Sequence, residues 1–236
     1  KGQFANSRIF AHETDFGLSQ CKGTWCLHLQ ADEVLHEDDL DIIVQACKKY
    51  ESDMRVDGFL LRFVHFWGDY EHVVESHGII RKEIRIVRNG IGCYSYLDSI
   101  SFRKSGNKKL NVIELPARIF HYSYVRPPKL MAAKAAVHDA IHSGADISGD
   151  EVKKNIFDWG PLGSLQIFKG THPAVMYDWI ARFNWQSTLN NSKPKLFEKS
   201  PHKHLRTKYR FLTWVENTFN GHNEIFGFKN YRLLKK

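Results

Sequence analysis

Cysteine is scarce in this chain, with Cys21, Cys26, Cys47 and Cys93 its whole complement in 236 residues. Their spacings fit no zinc-ligand pattern, which argues against a cysteine-built metal centre. Three of them lie within apolar runs and read as reduced thiols in a cytosolic compartment, not as a disulfide framework. The chain also lacks an apolar run of membrane-spanning length and a signal-peptide pattern, and it opens on Lys-Gly-Gln-Phe without an initiating Met. Acid is in deficit: 34 Lys and Arg face 26 Asp and Glu, for a net charge of +8 and a pI near 9.2. Such a balance favours an anionic partner, whether nucleic acid, a phosphorylated small molecule or an acidic membrane. No RNA-binding signature or dense basic stripe is present, so nucleic acid is not the expected partner. The denser basic run at 201–210 (PHKHLRTKYR) and the terminal Lys235-Lys236 are a solvated surface or a contact for anionic lipid.

What is present suits a globular protein with an ordinary apolar fraction of 42% and a high aromatic fraction of 13%. The length fits one domain with an appendage. The stretch that organises the rest is 25–37, WCLHLQADEVLHE. A strand is expected over 25–30, running into Asp32 and Glu33, with His36 close behind. Ligands of open α/β sheets bind beyond strand ends, so acid delivered there suits a divalent cation. Equally, Asp32, Glu33, Glu37, Asp38 and Asp39 suit the first turn of a following helix, where carboxylates complement the helix dipole.

Apolar residues Leu40, Ile43, Val44 and Cys47 recur at helical spacing and predict a helix over 38–50. Strands are expected at 59–66, 83–88 and 118–124, and 94–102 reads as loop or strand. Short helices are expected at 14–21 and from Pro128 to the His142-Ser143-Gly144 stop. Beyond 150 the tryptophans sit among Gly, Pro and Lys. There a helix is expected from Pro173 to about Trp185, a loose link at 190–200 and a further helix ending at Gly221. The alternation of strand and helix predicts an α/β sheet over 1–149, with 150–236 as an aromatic-rich helical extension packed on it.

Taken in order, LQADEVLHE, EIRIVRNG, LDSISFR, HYSYVRPPKLMAAK and GTHPAVM resemble a branch of the family-two glycosyltransferases. The resemblance implies the GT-A nucleotide-sugar-binding fold, a mixed sheet flanked by helices. It implies an inverting, metal-assisted transfer from a nucleotide-sugar donor to a glycan or lipid-linked acceptor in the cytoplasm, and the basic tail is where a peripheral membrane contact is expected. The family's acidic D-x-D motif reads Gln30-Ala31-Asp32 here, followed by Glu33. Asp32, Glu33 and His121 are therefore the implied ligands of manganese or magnesium, hard cations that suit oxygen donors and would stabilise the leaving diphosphate. Arg126 and Lys134 are the implied diphosphate contacts.

An inverting transferase needs a base for the acceptor hydroxyl on the side opposite the leaving group. Asp98 is the implied base, with Asp69 and Glu71 as rivals. Trp67 and Tyr70 are offered as sugar-stacking rings, and Arg103, with Arg85 and Arg88, as substrate-side cations. Family members also carry a nucleoside-binding segment before the part that corresponds to Phe4, so the donor's base is not read. Two other classes compete: a non-catalytic glycan-binding or scaffolding relative, suggested by Gln30, and a nucleic-acid-binding protein. A metallohydrolase built on His28, His36, His65 and His72 lacks any H-E-x-x-H pairing.

Overall fold

The computed structural model describes residues 8–143, 156–197, 199–227 and 229–235. Helix α1 (Arg8–Ser19) precedes β1 (Trp25–Leu27) and β2 (Glu33–Leu35), and α2 (Glu37–Lys49) follows. Then come β3 (Gly58–Trp67), β4 (His72–Val73), β5 (Lys82–Arg88), β6 (Cys93–Tyr96), β7 (Ser101–Lys104), β8 (Lys108–Tyr124) and α3 (Pro128–Ser143). The remainder holds β9 (Gln166–Ile167), α4 (Tyr177–Ala181), α5 (Thr207–Phe219) and β10 (Tyr231–Leu233).

These strands form one mixed 10-stranded sheet in the order β1-β5-β3-β8-β7-β6, with the short strands attached to its margins. The parallel pair β3 and β8 is its spine. Strand β2 runs antiparallel to one end of β8 and β10 parallel to the other. Alternation along β3 sorts its side chains. Phe59 and Leu61 face a core that includes Ile43 and Ala46 of α2, whereas Leu60 faces Cys26, Ile84, Val87 and Phe102. Full burial of side chains of this size contributes about 1.5–3 kcal/mol each. At Gly58 the sheet tolerates no side chain, because a Cβ would collide with the Ile86 carbonyl.

Several expectations need correction. The first strand stops at Leu27, and the acidic pair lies in a turn that opens β2 instead of at the tip of β1. Strand β8 starts ten residues before the expected 118, at Lys108. Pro116 disguises its continuity: proline has no N–H for the ladder, and the β3–β8 register shifts between Leu60↔Glu114 and Arg62↔Arg118 to bulge it outward. Residues 94–102 fall into two antiparallel strands joined by a turn. The helix expected from Pro173 to Trp185 is a short 3-10 turn (Ala174–Met176) and the single-turn α4. The expected boundary at 150 lies outside the described residues.

The part beyond it is fastened to the sheet. Trp159, Leu162 and Trp185 share a core with Phe66, Trp67 and Phe120, and β10 extends the sheet itself. No described helix is long and apolar enough to cross a membrane.

Candidate functional site

Strand register assembles the site. Glu33 of β2 stands opposite His121 of β8, and His121 stands beside His65 of β3, so the three share one row across the sheet. Asp32 directly precedes that row, and its carbonyl accepts a hydrogen bond from the Tyr122 N–H at 2.9 Å.

Glu33 holds this corner together. Both of its oxygens are taken by Arg85, whose Nε and Nη2 donate at 2.9 and 2.7 Å, and Oε2 also accepts the Gln30 N–H at 3.2 Å. The pair is almost sealed, with 1% of the Glu33 side chain and 5% of the Arg85 side chain exposed. Glu33 is thus a clamp on the 30–33 turn, and although it borders the same cavity as Asp32, both of its oxygens are already bonded by Arg85.

Asp32, by contrast, looks into a cavity. Lys134 of α3 donates to its Oδ2 at 2.7 Å and to the Ser123 hydroxyl at 2.7 Å. The His121 Nε2 lies 3.8 Å from Oδ1, too far for a hydrogen bond. Burial alone would raise the Asp32 pKa, but the Lys134 ammonium, which bonds it, and a hydrogen bond from Ser123 outweigh it and hold the carboxyl below its ordinary range. Burial, then repulsion from His65, pushes His121 down to about 3, so its ring is neutral at neutral pH. The charge that keeps Asp32 ionised is therefore the Lys134 ammonium.

The tautomers follow from the bonds. His65 places Nε2 2.6 Å from the Ile80 carbonyl, which can only accept, so that nitrogen carries the proton. Burial pushes His65 down to about 4, leaving it neutral, and its Nδ1 must then accept from His121 Nδ1–H at 2.8 Å. The network consequently assigns a lone pair to His121 Nε2, facing the Asp32 carboxylate. Two electron-pair donors turned toward one space is the arrangement a cation completes. His65 supplies the orienting hydrogen bond that ligating histidines typically use.

Asp32, His121 and Lys134 line a cavity of about 660 Å³ together with Asp98, His138 and Phe10. That volume lies within the range of small-molecule sites. Asp98 sits on the β6–β7 turn between Leu97 and Ser99, both at left-handed φ (57° and 66°), with its carboxylate 4.0 Å from His142 Nε2. The turn is tied to α1 by a 2.6 Å hydrogen bond between the Ser99 and Thr14 hydroxyls. Among the described residues no group of three or more His, Cys, Asp or Glu side chains is arranged to hold a metal.

Other expected site residues are used elsewhere. Asp69 accepts from the Glu71 and His72 N–H groups and from His72 Nδ1, which makes it a turn former, and Glu71 lies in that turn. Trp67 and Tyr70 are buried in the core, with Trp67 Nε1 donating to the Trp159 carbonyl. Arg103 is 2% exposed and anchors Asn230, and Arg88 ties the Tyr50, Glu51, Asp53 and Val56 carbonyls. Arg126 does not line the cavity, and its Nε is buried with no hydrogen-bond partner among the described residues. The histidines of the metallohydrolase idea are dispersed: His36 bonds the Thr171 hydroxyl and caps α2, and His72 belongs to the Asp69 turn.

The residues that sequence reasoning missed in the site are Ser123, His138 and the pairing role of His65. Only strand register could have found the last of these. Set against known proteins, the chain matches no family model, and no curated protein matches it.

Proposed function

We propose that the chain is a glycosyltransferase of GT-A type that moves a sugar from a nucleotide-sugar donor to a glycan or lipid-linked acceptor with inversion and with the help of manganese or magnesium. The observation that carries this reading is the pair of donors, Asp32 Oδ1 and His121 Nε2, turned toward one space 3.8 Å apart at the wall of a cavity that also contains Asp98. Asp32 and His121 fit a hard cation held by few protein groups, its other positions left for diphosphate oxygens and water. Glu33 does not fit, because Arg85 occupies it. When bound, the metal would supply positive charge against the leaving diphosphate.

The protein's own groups have separate tasks. Lys134 keeps Asp32 ionised in the resting site and, reaching the diphosphate, would stabilise its negative charge by a charge-assisted hydrogen bond. Asp98, from a different segment than Asp32, would accept the proton of the acceptor hydroxyl. The same Lys134–Asp32 ion pair also favours a second reading, a metal-free glycan-binding module of this fold, since an ammonium already satisfies the carboxylate.

The test is hydrolysis or transfer from a panel of nucleotide sugars with and without manganese, beside Asp32→Ala. Turnover of one donor that needs both the metal and Asp32 is the expected result. Glycan binding with no metal-dependent turnover of any donor would favour the module.

A further inference from the structure

Helix α5 is docked by polar side chains and by Tyr209, whose ring lies 5.8 Å from that of His77, and turns its other aromatic side chains outward. Its inward residues are Thr213, which bonds Ser76 and the His77 N–H, and Glu216, fully buried, which accepts from Arg81, His77 and the Ile225 N–H. Phe211, Trp214 and Phe219 are 60%, 56% and 73% exposed. Their ring centroids follow one another at 5.9 and 5.8 Å, so they form one continuous strip. Hydrophobic burial cannot explain aromatics on the outer face of a helix whose inner face is polar.

A second apolar element lies at the N-terminus of the helix. Leu196 and Phe197 are 70% and 78% exposed, and the Phe197 N–H donates to the Thr207 hydroxyl at 3.0 Å. Phe197 holds a left-handed φ of 59°, a conformation that is strained in a residue with a side chain. Exposed cations run along the chain that leads into the helix: Lys193, Lys199, Lys203, Arg206 and Lys208. Among the described residues none of Lys203, Arg206 and Lys208 is ion-paired to a carboxylate.

We propose that α5 with the 193–197 and 199–208 stretches is an interfacial surface that docks the protein on an anionic lipid bilayer, the aromatic strip and Leu196-Phe197 entering the headgroup boundary while the lysines meet lipid phosphate. Tryptophan and phenylalanine beside lysine and arginine are what helices lying in a membrane interface present. Charge complementarity selects anionic lipid. A nucleic-acid platform is disfavoured by the rings themselves: Trp214 and Phe219 meet at 90°, edge against face, so they offer no parallel open faces on which successive bases could stack. Joined to the transferase reading, on which this step alone depends, the surface selects a lipid-linked acceptor over a free glycan.

The experiment is co-sedimentation of the chain with phosphatidylcholine vesicles with and without phosphatidylglycerol, in the absence of metal and nucleotide, so that its outcome is independent of the catalytic reading. Binding is expected only to the anionic vesicles, weakening with salt, with Trp fluorescence quenched by brominated lipid and that quenching reduced in Trp214→Phe. Lys203→Glu with Lys208→Glu should lower partitioning at least about tenfold. Phe211→Ser with Trp214→Ser should do the same and leave the circular-dichroism melt unchanged, since neither side chain is in the core. Failure to bind anionic vesicles, or binding that these variants leave intact, overturns the proposal. So would self-association or single-stranded RNA binding that the same variants abolish in a chain that ignores vesicles.

Discussion

A lysine ammonium 2.7 Å from Asp32 occupies the charge that a metal would otherwise meet, so in the proposed transferase Lys134 would compete with the cation as well as contact the diphosphate. Lys134→Met should therefore raise manganese affinity in the absence of nucleotide by roughly tenfold, the worth of one charge-assisted hydrogen bond, and weaken diphosphate binding. Titration calorimetry with each ligand alone checks both directions. Glu33 predicts something different. Glu33→Gln leaves Arg85 charged and buried without its partner and should cost about 3–5 kcal/mol of stability, read as a lower urea midpoint. Asp98→Asn should leave the melt and donor binding unchanged and reduce transfer about 10²–10⁴-fold, the usual contribution of a general base. A turnover rate unaltered in that variant would remove Asp98 from the chemistry. At this scale the sequence was legible for Asp32, His121, Lys134 and Asp98, all of which meet at one cavity. It was not for Glu33, because the Arg85 that claims it lies on another strand and no local pattern encodes that pairing.

Among the elements, α2, β3 and β5 lie within one or two residues of where periodicity puts them, although α2 buries Asp39, Ile43 and Ala46 and leaves Leu40 and Val44 of its expected apolar face exposed. Strand β8 was half hidden, since Lys108, Lys109 and Pro116 obscure the alternation that packing against β3 imposes. Strand β10 escaped notice for a related reason: three residues carry too little period, and their partner is more than a hundred residues away. The C-terminal attachment depends on Glu216 of α5, which accepts from Arg81 at 2.7 Å and His77 at 2.7 Å with 0% exposure. Glu216→Gln should release this helix from the β4–β5 connection at a cost of about 3 kcal/mol. Hydrogen exchange would then show lost protection in α5 and β10 while β3 keeps its own. Uniform loss across the sheet would mean that the C-terminal part and the sheet unfold as one unit.

For the molecule as a whole, buried neutral histidines set the acid limit. Burial, reinforced by the Arg85 charge, pushes His28 down to about 4, and burial with the nearby His202 pushes His204 down to about 4. Unfolding restores ordinary values near 6.5, so the unfolded chain binds more protons between those limits and stability falls as pH drops from about 6.5 toward 4. Urea midpoints measured across that range should decrease steadily, and less so in His204→Gln. The α/β class was readable from the presence of both strands and helices, although β3 to β8 follow one another without the expected alternation. The outward aromatic face of α5 was not readable, since helical spacing alone does not say which side of a helix meets the sheet.

The central claim is that Asp32 and His121 form a cation site completed by a diphosphate, and manganese electron paramagnetic resonance tests it most directly. Adding pyrophosphate to the chain should tighten manganese binding, and Asp32→Ala and His121→Ala should each abolish that gain while the fold, followed by circular dichroism, persists. Manganese binding that pyrophosphate does not strengthen, or that survives both substitutions, would contradict it.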